Sequence, residues 1–260
     1  MNALDGKRKK LEQILEEMGN VVIAFSGGVD SALLLAVTVT SISYAEREKD
    51  DAQRFAQRLG VKHRYIDVDQ MSIPGFVANG PDRCYHCKKE IFSSIRTFAE
   101  MEGFTNIADG SNADDASDYR PGHKALAELG VRSPLLEAGL TKEEIRKLSR
   151  EMGLFTASKP SYACLASRIQ YGEPITPEKL ARVEQAEEFI EKLGFSHIRV
   201  RSYGTLARIE VEPSQITLMT QTSTRTKILK RLNELGFYYV TVDLAGFRSG
   251  SMNAGLTEKK

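Results

Sequence analysis

The chain of 260 residues carries 36 Lys and Arg against 35 Asp and Glu, so its formal net charge is only +1. This balance lacks the positive surface by which proteins usually bind nucleic acids, and it weighs against a large nucleic-acid substrate. Hydrophobic residues make up 41% of the chain, and no apolar run approaches the roughly 20 residues of a membrane span. We therefore expect a soluble globular protein.

The N-terminal segment, MNALDGKRKKLEQILEEMG, is predicted to form a charged amphipathic helix and does not read as a signal peptide. A cytoplasmic location is expected from this. The chain has three cysteines, an odd number that argues against a disulfide framework in a reducing compartment. Their positions must therefore be explained by chemistry.

Strand and helix patterns alternate along the first part of the chain. Strands are predicted at residues 21–25, 36–40, 61–68 and 106–109, and helices at 44–59, 83–102 and 141–152. This alternation predicts an α/β fold with a doubly wound parallel sheet. Only ten residues separate Phe25 from Ala36, fewer than a parallel crossover needs. Either the second strand is misassigned, or the connection is shortened, or residues are missing here; we favour the last explanation.

A linker at residues 171–177, YGEPITP, precedes a different pattern. The predicted elements are a helix at 176–193, strands at 197–202 and 207–212 joined near Gly204, a helix at 214–235 and a last strand, YYVTVDL. These elements indicate a small α+β domain. The predicted domains are residues 1–170 and 176–260.

The turn Ser26-Gly27-Gly28-Val29-Asp30-Ser31 follows an apolar strand and opens a helix, as a phosphate-binding loop does. It is not a Walker A loop, because no Lys follows the second glycine. Asp30 would repel a bare phosphate, so we expect Mg²⁺ between the carboxylate and the phosphate oxygens. An ordinary glycine-rich turn is the alternative.

The hexapeptide resembles the PP-loop of the N-type ATP pyrophosphatases, which cleave ATP to AMP and pyrophosphate. A later strand ends in Asp109-Gly110-Ser111-Asn112, followed by Asp114 and Asp115, where enzymes of that superfamily complete the nucleotide and metal site. The resemblance implies ATP as a cosubstrate but does not identify the other substrate.

Cys84 and Cys87 form a C-x-x-C pair, and Cys164 stands alone in KPSYACLASR. Nearby lysines and arginines favour the thiolate form that binds metals. An iron–sulfur cluster is the favoured interpretation; zinc, redox or sacrificial sulfur chemistry, and plain buried cysteines are the others. Three thiolates would leave one iron of a 4Fe-4S cluster without a protein ligand, and that iron could carry a sulfide.

Several motifs together resemble the LarE sulfurtransferases: SGGVDSALLLA, ERE, RCYHCK, DGSNADD, PL-x-EAGLTKEEIR, ACLASR and VTVDLAGFRSGSMN. The resemblance spans nearly the whole chain. It implies adenylation of a carboxylate of pyridinium-3,5-biscarboxylic acid mononucleotide, followed by replacement of oxygen with sulfur, for the nickel-pincer cofactor of lactate racemase. One branch of this family uses a cysteine at the position of Cys164 as a sacrificial donor. Because the C-x-x-C pair is present, the chain resembles the other, cluster-dependent branch.

The resemblance also implies roles for individual residues. Arg199 and Arg201 match arginines that hold the substrate's phosphate, with a solvated strand face as the alternative. Glu184 or Glu187 would complete a metal site, with a charged helix face as the alternative. The implied catalytic residues are Cys164, Asp30, Lys88 and Arg168; the implied nucleotide- and substrate-binding residues are Ser26, Gly27, Gly28, Val29, Asp30, Ser31, Gly110, Asn112, Ser167, Arg199 and Arg201; the implied metal ligands are Cys84, Cys87, Cys164, Asp30 and Glu187.

The implied partners are a small nucleotide substrate, sulfide or a sulfur donor, and further copies of the chain, assembled as a homo-hexamer through the C-terminal domain. A tRNA thiolase of the same superfamily is the alternative enzyme, but the basic stripe and the zinc ribbons it would carry are not visible in the sequence. A nucleotide-sensing module is the alternative without catalysis, and it would not require three thiols.

Overall fold

The computed structural model describes residues 3–26, 28–34, 37–40, 46–117, 121–158, 164–248 and 250–253. Packing divides the chain into two compact units. The first unit comprises Met1–Ile73 and Asp82–Tyr162, and the second comprises Pro74–Pro81 and Ala163–Lys260. The second unit therefore begins earlier than the expected boundary at 170–176, and it also takes up a short segment from the first half of the chain.

The helices and strands are, in chain order, α1 (Ala3–Met18), β1 (Val21–Phe25), α2 (Val29–Leu34), β2 (Val37–Thr40), α3 (Glu46–Leu59), β3 (Tyr65–Asp67), α4 (Pro74–Val77), α5 (Arg83–Met101), β4 (Asn106–Ala108), α6 (Gly122–Glu128), α7 (Pro134–Glu137), α8 (Lys142–Glu151), α9 (Pro177–Lys192), β5 (Arg199–Tyr203), β6 (Leu206–Glu210), α10 (Ile216–Thr220), α11 (Thr222–Glu234) and β7 (Tyr239–Val242). Among the described helices, none combines the length and the hydropathy that a bilayer span requires.

The described part of the first unit contains a four-stranded sheet in the order β3-β2-β1-β4, and every neighbouring pair is parallel. This arrangement confirms the predicted α/β fold with a parallel sheet. The pairing of β2 with β1 also shows that the second strand was assigned correctly. The third strand is much shorter than predicted, because only residues 65–67 pair. Predicted positions at Gly27, Ala36 and Tyr44 lie outside the described residues.

Both faces of this sheet are covered, as expected for parallel strands joined by helices. Val22 and Ile23 are adjacent in β1 and therefore point to opposite faces. Val22 packs with apolar residues of α5 and α6, whereas Ile23 packs with residues of α1, α7 and α8. The β-branched run of β1 thus forms the centre of two hydrophobic layers and fixes the position of the loop that follows it.

The second unit contains the antiparallel pair β5 and β6, and β7 pairs with β6 in parallel. Gly204 takes a positive φ of 59° in the turn between β5 and β6. Thr176 caps α9 by accepting a hydrogen bond from the Lys179 amide, and Pro177 occupies the first turn. The predicted α+β pattern is therefore present in this unit.

One predicted helix of the second unit is wrong. The segment 214–235 is divided into a 3₁₀ turn and the two helices α10 and α11. The break lies at Gln221, whose backbone is extended with φ −59° and ψ 142°. Polar threonines surround this position, so the sequence carries no glycine or proline to mark it.

Candidate functional site

The phosphate loop, residues 26–31, connects β1 to α2. The Ala32 amide donates to the Gly28 carbonyl at 3.0 Å, which forms the first helical bond. The Ser31 hydroxyl accepts from the Ser26 amide at 3.1 Å and lies 3.1 Å from the Ser26 hydroxyl. Ser31 therefore holds the loop against the start of its own helix. Gly27 lies outside the described residues.

The residues after β4 form the second wall of this site. A Cβ atom on Gly110 would lie 2.8 Å from the Ser31 backbone nitrogen, so only glycine fits this close approach. Asp109 is buried and accepts hydrogen bonds from the hydroxyls of Ser111 and Ser133, both at 2.6 Å. The phosphate loop and the Asp109-Gly110 segment are thus packed directly against each other.

Lys88 of α5 reaches this wall. Its ammonium lies 3.6 Å from Asp109 Oδ2. Its aliphatic chain packs against Gly122, where an added Cβ atom would lie only 2.7 Å from Lys88 Cδ. Asn112, also predicted for this site, is buried, and its backbone N–H donates to Asp115 Oδ2 at 3.1 Å. The structure therefore brings Lys88, Gly110 and Asn112 into the same part of the first unit as the phosphate loop.

Asp30 stands on the first turn of α2 and forms an ion pair with Lys142 of α8. Its other carboxylate oxygen, Oδ1, is buried, and no described residue donates a hydrogen bond to it. Burial raises the pKa of Asp30 above its ordinary value, and the Lys142 ammonium offsets only part of that rise. Asp115 raises this pKa further. The ionised carboxylate is therefore incompletely stabilised by the chain itself.

This arrangement fits a magnesium ion bound together with phosphates. A buried, unpaired carboxylate oxygen beside a phosphate loop is the hard ligand that Mg²⁺ prefers, and phosphate oxygens and water supply the remaining ligands. Within the described residues, no three His, Cys, Asp or Glu side chains form a metal-binding group. A metal at Asp30 would thus depend on the nucleotide for most of its coordination.

Lys142 and Ser133 were missed by the sequence analysis. Lys142 directly follows Thr141, which caps α8 in a complete capping box with Glu144. The helix predicted at 141–152 begins at this cap, so the sequence did place Lys142 on the first helical turn, where it is half-buried. Nothing in the spacing could have shown that Lys142 meets a carboxylate 112 positions earlier.

Cys84 and Cys87 lie one turn apart at the start of α5 and therefore share one face of the helix. Cys84 is exposed and Cys87 is half-buried. The Gln70 amide donates to Cys87 Sγ at 3.0 Å. His86 instead contacts Asp82, with its Nε2 atom 3.0 Å from Oδ2. Both cysteines thus lie on one face of α5, and their binding of one metal centre stays a prediction.

Cys164 belongs to the second unit, where it is exposed and precedes the 3₁₀ turn Leu165–Arg168. Its carbonyl accepts from the Arg168 guanidinium at 3.2 Å, and the Ser167 hydroxyl accepts from the same nitrogen at 3.1 Å. The two cysteines of the pair belong to the first unit. Convergence of all three cysteines around one cluster stays a prediction.

Arg168 and Glu187 form a buried pair in the second unit. Arg168 donates to both carboxylate oxygens of Glu187 at 2.8 Å, and the Val200 amide adds a third hydrogen bond at 2.9 Å. Burial alone would raise the pKa of Glu187, but Arg168, Arg199 and the Val200 amide lower it below its ordinary value. Arg168 thus serves the packing of the unit, and Glu187 would have to give up this pair to bind Mg²⁺.

Arg199 and Arg201 lie on one face of β5, as their alternation predicted, but the solvated-face alternative is wrong because both are only 5% exposed. Arg201 donates to Glu210 at 2.8 Å and to the Ser167 carbonyl at 3.1 Å. The Arg199 guanidinium lies 5.1 Å from the Phe247 ring centroid. The sequence analysis missed Glu210, which is fully buried and also accepts hydrogen bonds from Arg208 and Ser251.

Comparison with protein-family models gives no match. The chain is 40% identical to the uncharacterised protein slr1717 of Synechocystis, over 98% of this chain and 100% of that protein. It is 36% identical to the pyridinium-3,5-bisthiocarboxylic acid mononucleotide synthase of Lactiplantibacillus plantarum, over 99% of this chain and 98% of the synthase. A tRNA-specific 2-thiouridylase of Rhizobium johnstonii is 25% identical over 69% of this chain and 56% of that enzyme.

Two solved structures resemble the chain more distantly. The NH3-dependent NAD synthetase of Campylobacter jejuni gives a TM-score of 0.44 at 14% identity, covering 91% of this chain and 96% of the synthetase. The NMN synthetase of Francisella tularensis gives a TM-score of 0.45 at 13% identity, covering 90% and 94%. The near-complete match to the Lactiplantibacillus synthase shows the family: the chain belongs to the LarE family of ATP-dependent sulfurtransferases.

Proposed function

We propose that this chain uses ATP to adenylate a carboxylate of pyridinium-3,5-biscarboxylic acid mononucleotide and then replaces the activated oxygen with sulfur. The observation that carries the proposal is the incompletely stabilised Asp30 carboxylate beside a phosphate loop, in a chain that matches the Lactiplantibacillus synthase over its whole length. The product would serve the synthesis of a nickel-pincer cofactor for lactate racemase.

The first half-reaction would take place at the phosphate loop. Ser26, Gly28, Val29 and Ser31 would hold the phosphates, and Gly110 and Asn112 would line the nucleotide on the opposite wall. A substrate carboxylate oxygen attacks the α-phosphorus of ATP, and the bond to pyrophosphate breaks. Mg²⁺ on Asp30 would neutralise the departing pyrophosphate.

Two lysines would add positive charge at the same place. Lys88 and Lys142 are held by Asp109 and Asp30 in the structure. Each lysine side chain is partly exposed, so a phosphate oxygen that enters the site could reach its ammonium group. The phosphate would then replace the carboxylate as the partner of that lysine. We propose that both lysines turn to the pyrophosphate when ATP binds.

The second half-reaction needs a sulfur nucleophile. Sulfide attacks the acyl carbon, the bond from that carbon to the AMP oxygen breaks, and AMP leaves with the electron pair. Cys84, Cys87 and Cys164 would hold a 4Fe-4S cluster, which supplies the sulfide when bound. The exposure of Cys164 equally suits a sacrificial thiol, which would donate its own sulfur and become dehydroalanine.

The second unit would bind the phosphate of the substrate. Arg201 has a buried Nε atom, and no described residue accepts its hydrogen. A phosphate oxygen is a suitable acceptor for that donor, and Arg199 adds charge on the same strand face. We propose these two arginines as the phosphate-binding residues, with Ser167 beside them, and homo-oligomer formation through this unit in the cytoplasm.

The proposal is tested with anaerobically purified protein, by iron and sulfide analysis and by the mass of the protein after a single turnover. Cluster chemistry leaves the mass of the polypeptide unchanged, whereas sacrificial chemistry removes one sulfur and two hydrogens. Cys84→Ala and Cys87→Ala should abolish thiolation but leave pyrophosphate release intact. Thiolation by both variants at the rate of the parent would contradict the cluster mechanism.

Substitution of the two arginines tests the substrate site separately. Arg199→Lys with Arg201→Lys keeps the charge but removes the forked donors, and it should raise the KM for the substrate much more than the KM for ATP. An equal change in both KM values would contradict a role in binding the substrate phosphate.

A further inference from the structure

Gln70 is a buried polar side chain that none of the roles above explains. It is 1% exposed and begins the 3₁₀ turn Gln70–Ser72, just after β3. The turn is fixed locally, because the Met71 amide donates to Asp69 Oδ1 at 2.9 Å and the Ser72 hydroxyl donates to the Asp69 carbonyl at 2.7 Å. The Gln70 side chain therefore leaves the backbone from a rigid turn.

From this turn the side-chain amide reaches Cys87. Gln70 Nε2 lies 3.0 Å from Cys87 Sγ, although the two residues are 17 positions apart. The strength of this hydrogen bond depends on how good an acceptor the sulfur is. A neutral thiol is a weak acceptor, whereas hydrogen bonds to an ionised partner are roughly twice as strong as those between neutral groups.

We propose that Gln70 is a positioning residue for Cys87: its amide fixes the direction of the Sγ atom and stabilises the negative charge that this sulfur carries as a ligand. The iron-dependent part of this inference rests on the proposed function. Hydrogen bonds to ligating sulfurs tune the reduction potential of an iron–sulfur centre, and residues behind the ligands hold them in place. Gln70 would thus set both the geometry and the potential on the Cys87 side of the centre.

Two substitutions separate electrostatics from packing. Gln70→Glu keeps the shape but places negative charge against the sulfur, whereas Gln70→Met keeps the unbranched volume and removes the donor. Gln57→Glu, at an exposed position on α3, adds the same charge elsewhere and is the matched control. Cys84, exposed on the same turn of α5, is the internal reference within each protein.

The first measurement uses the reduced, metal-free protein. Alkylation of Cys87 and Cys84 by iodoacetamide at one pH is followed by peptide mass spectrometry. Gln70→Glu should lower the ratio of the Cys87 rate to the Cys84 rate by about tenfold, Gln70→Met should lower it less, and Gln57→Glu should leave it unchanged. An unchanged ratio in Gln70→Glu, or equal changes in Gln70→Glu and Gln70→Met, would overturn the inference.

The second measurement uses protein reconstituted with iron and sulfide. The midpoint potential of the Gln70→Met centre, followed by electron paramagnetic resonance, should be more negative than that of the parent, because a donor to the sulfur has been lost. An unshifted potential would overturn the tuning role. Failure of the parent protein itself to bind iron would refute the cluster, while the alkylation ratio in metal-free protein would still decide the role of Gln70.

Discussion

Each unit of the chain contains a carboxylate paired with a basic side chain, and the two pairs differ in how completely the charge is satisfied. In the second unit, Glu187 receives three hydrogen bonds, and its pKa lies below the ordinary value even though it is buried. In the first unit, Asp30 is paired on one oxygen only, and burial raises its pKa. Both carboxylates are largely buried, but the pKa of Glu187 is lowered and the pKa of Asp30 is raised.

This difference in hydrogen bonding distinguishes a charge that stabilises the fold from a charge that is available to bind a ligand. A buried pair with all its hydrogen bonds satisfied contributes to a unique packing, and breaking one half of it is costly. A carboxylate that the chain leaves incompletely stabilised lowers the stability of the fold, as residues selected for function often do. A bound cation would offset that cost. The Arg168–Glu187 pair of the second unit is thus satisfied within the chain, whereas the unpaired Oδ1 atom of Asp30 is the one that we propose for a metal bound together with the nucleotide.

The largest expected effect comes from breaking the satisfied pair. Glu187→Gln leaves the Arg168 charge buried without a counterion and should lower the free energy of unfolding by about 3–5 kcal/mol. Glu188→Gln, the next residue on α9 and half-exposed, is the matched control and should change it little. Equilibrium urea unfolding measures both. Parent-like stability of Glu187→Gln combined with loss of Mg²⁺-dependent AMP formation would instead favour the metal role for Glu187.

Removing the Asp30 charge should reduce activity without reducing stability, which is the reverse of the effect expected for Glu187→Gln. Asp30→Asn should reduce Mg²⁺-dependent AMP formation by at least about a hundredfold, because the metal loses its protein ligand. Stability should not fall at neutral pH. The pKa of Asp30 is raised on folding, so its ionisation opposes folding as the pH rises through that pKa, and the amide escapes this penalty. Parent-like AMP formation, or a clear loss of thermal stability, would contradict this account.

A smaller effect is expected where the two walls of the first site meet. Gly110→Ala places a methyl group 2.8 Å from the Ser31 backbone nitrogen, so the phosphate loop must move. We expect a loss of about 1–3 kcal/mol in unfolding free energy and a raised KM for ATP. Gly6→Ala, in α1 with no atom within 4 Å of the new carbon, is the control and should be neutral or slightly stabilising. Equal behaviour of the two variants would refute the close approach.

The smallest effects are expected at two helix caps, one in each unit. Thr141→Ala and Thr176→Ala should each cost about 1 kcal/mol, because each removes a side-chain acceptor for a helix amide. Only Thr141→Ala should also weaken AMP formation, since Lys142 follows it and pairs with Asp30. Pyrophosphate release at low ATP concentration distinguishes the two. A similar loss of activity in both variants would indicate a general effect of stability.

Local patterns predicted much of the first unit. The β-branched run before Ser26 and the glycines after it indicated a strand, a tight loop and a helix, and the helix predicted at 83–102 includes both cysteines of the C-x-x-C pair. These features depend on neighbours within a few positions. The pairing of Asp30 with Lys142 joins residues 112 positions apart, and no local period encodes such a contact.

Burial of charge was the main property that the sequence left open. Alternation of Arg199 and Arg201 predicted a shared strand face, but it could not show that this face is covered. The spacing of Glu184 and Glu187 likewise predicted a shared helix face, but it could not show that Glu187 is buried against Arg168. Whether a charged residue is solvated or buried depends on which distant element packs on it, and that is a property of the fold.

The most direct test of the proposed function uses anaerobically purified protein with ATP, Mg²⁺ and pyridinium-3,5-biscarboxylic acid mononucleotide. AMP, pyrophosphate and the mass of the substrate are measured in the same reaction. The account predicts that AMP and pyrophosphate form in equal amounts, only when the substrate and Mg²⁺ are present, and that the product has sulfur in place of one carboxylate oxygen. Release of AMP without any thiolated product, or no AMP at all, would contradict it.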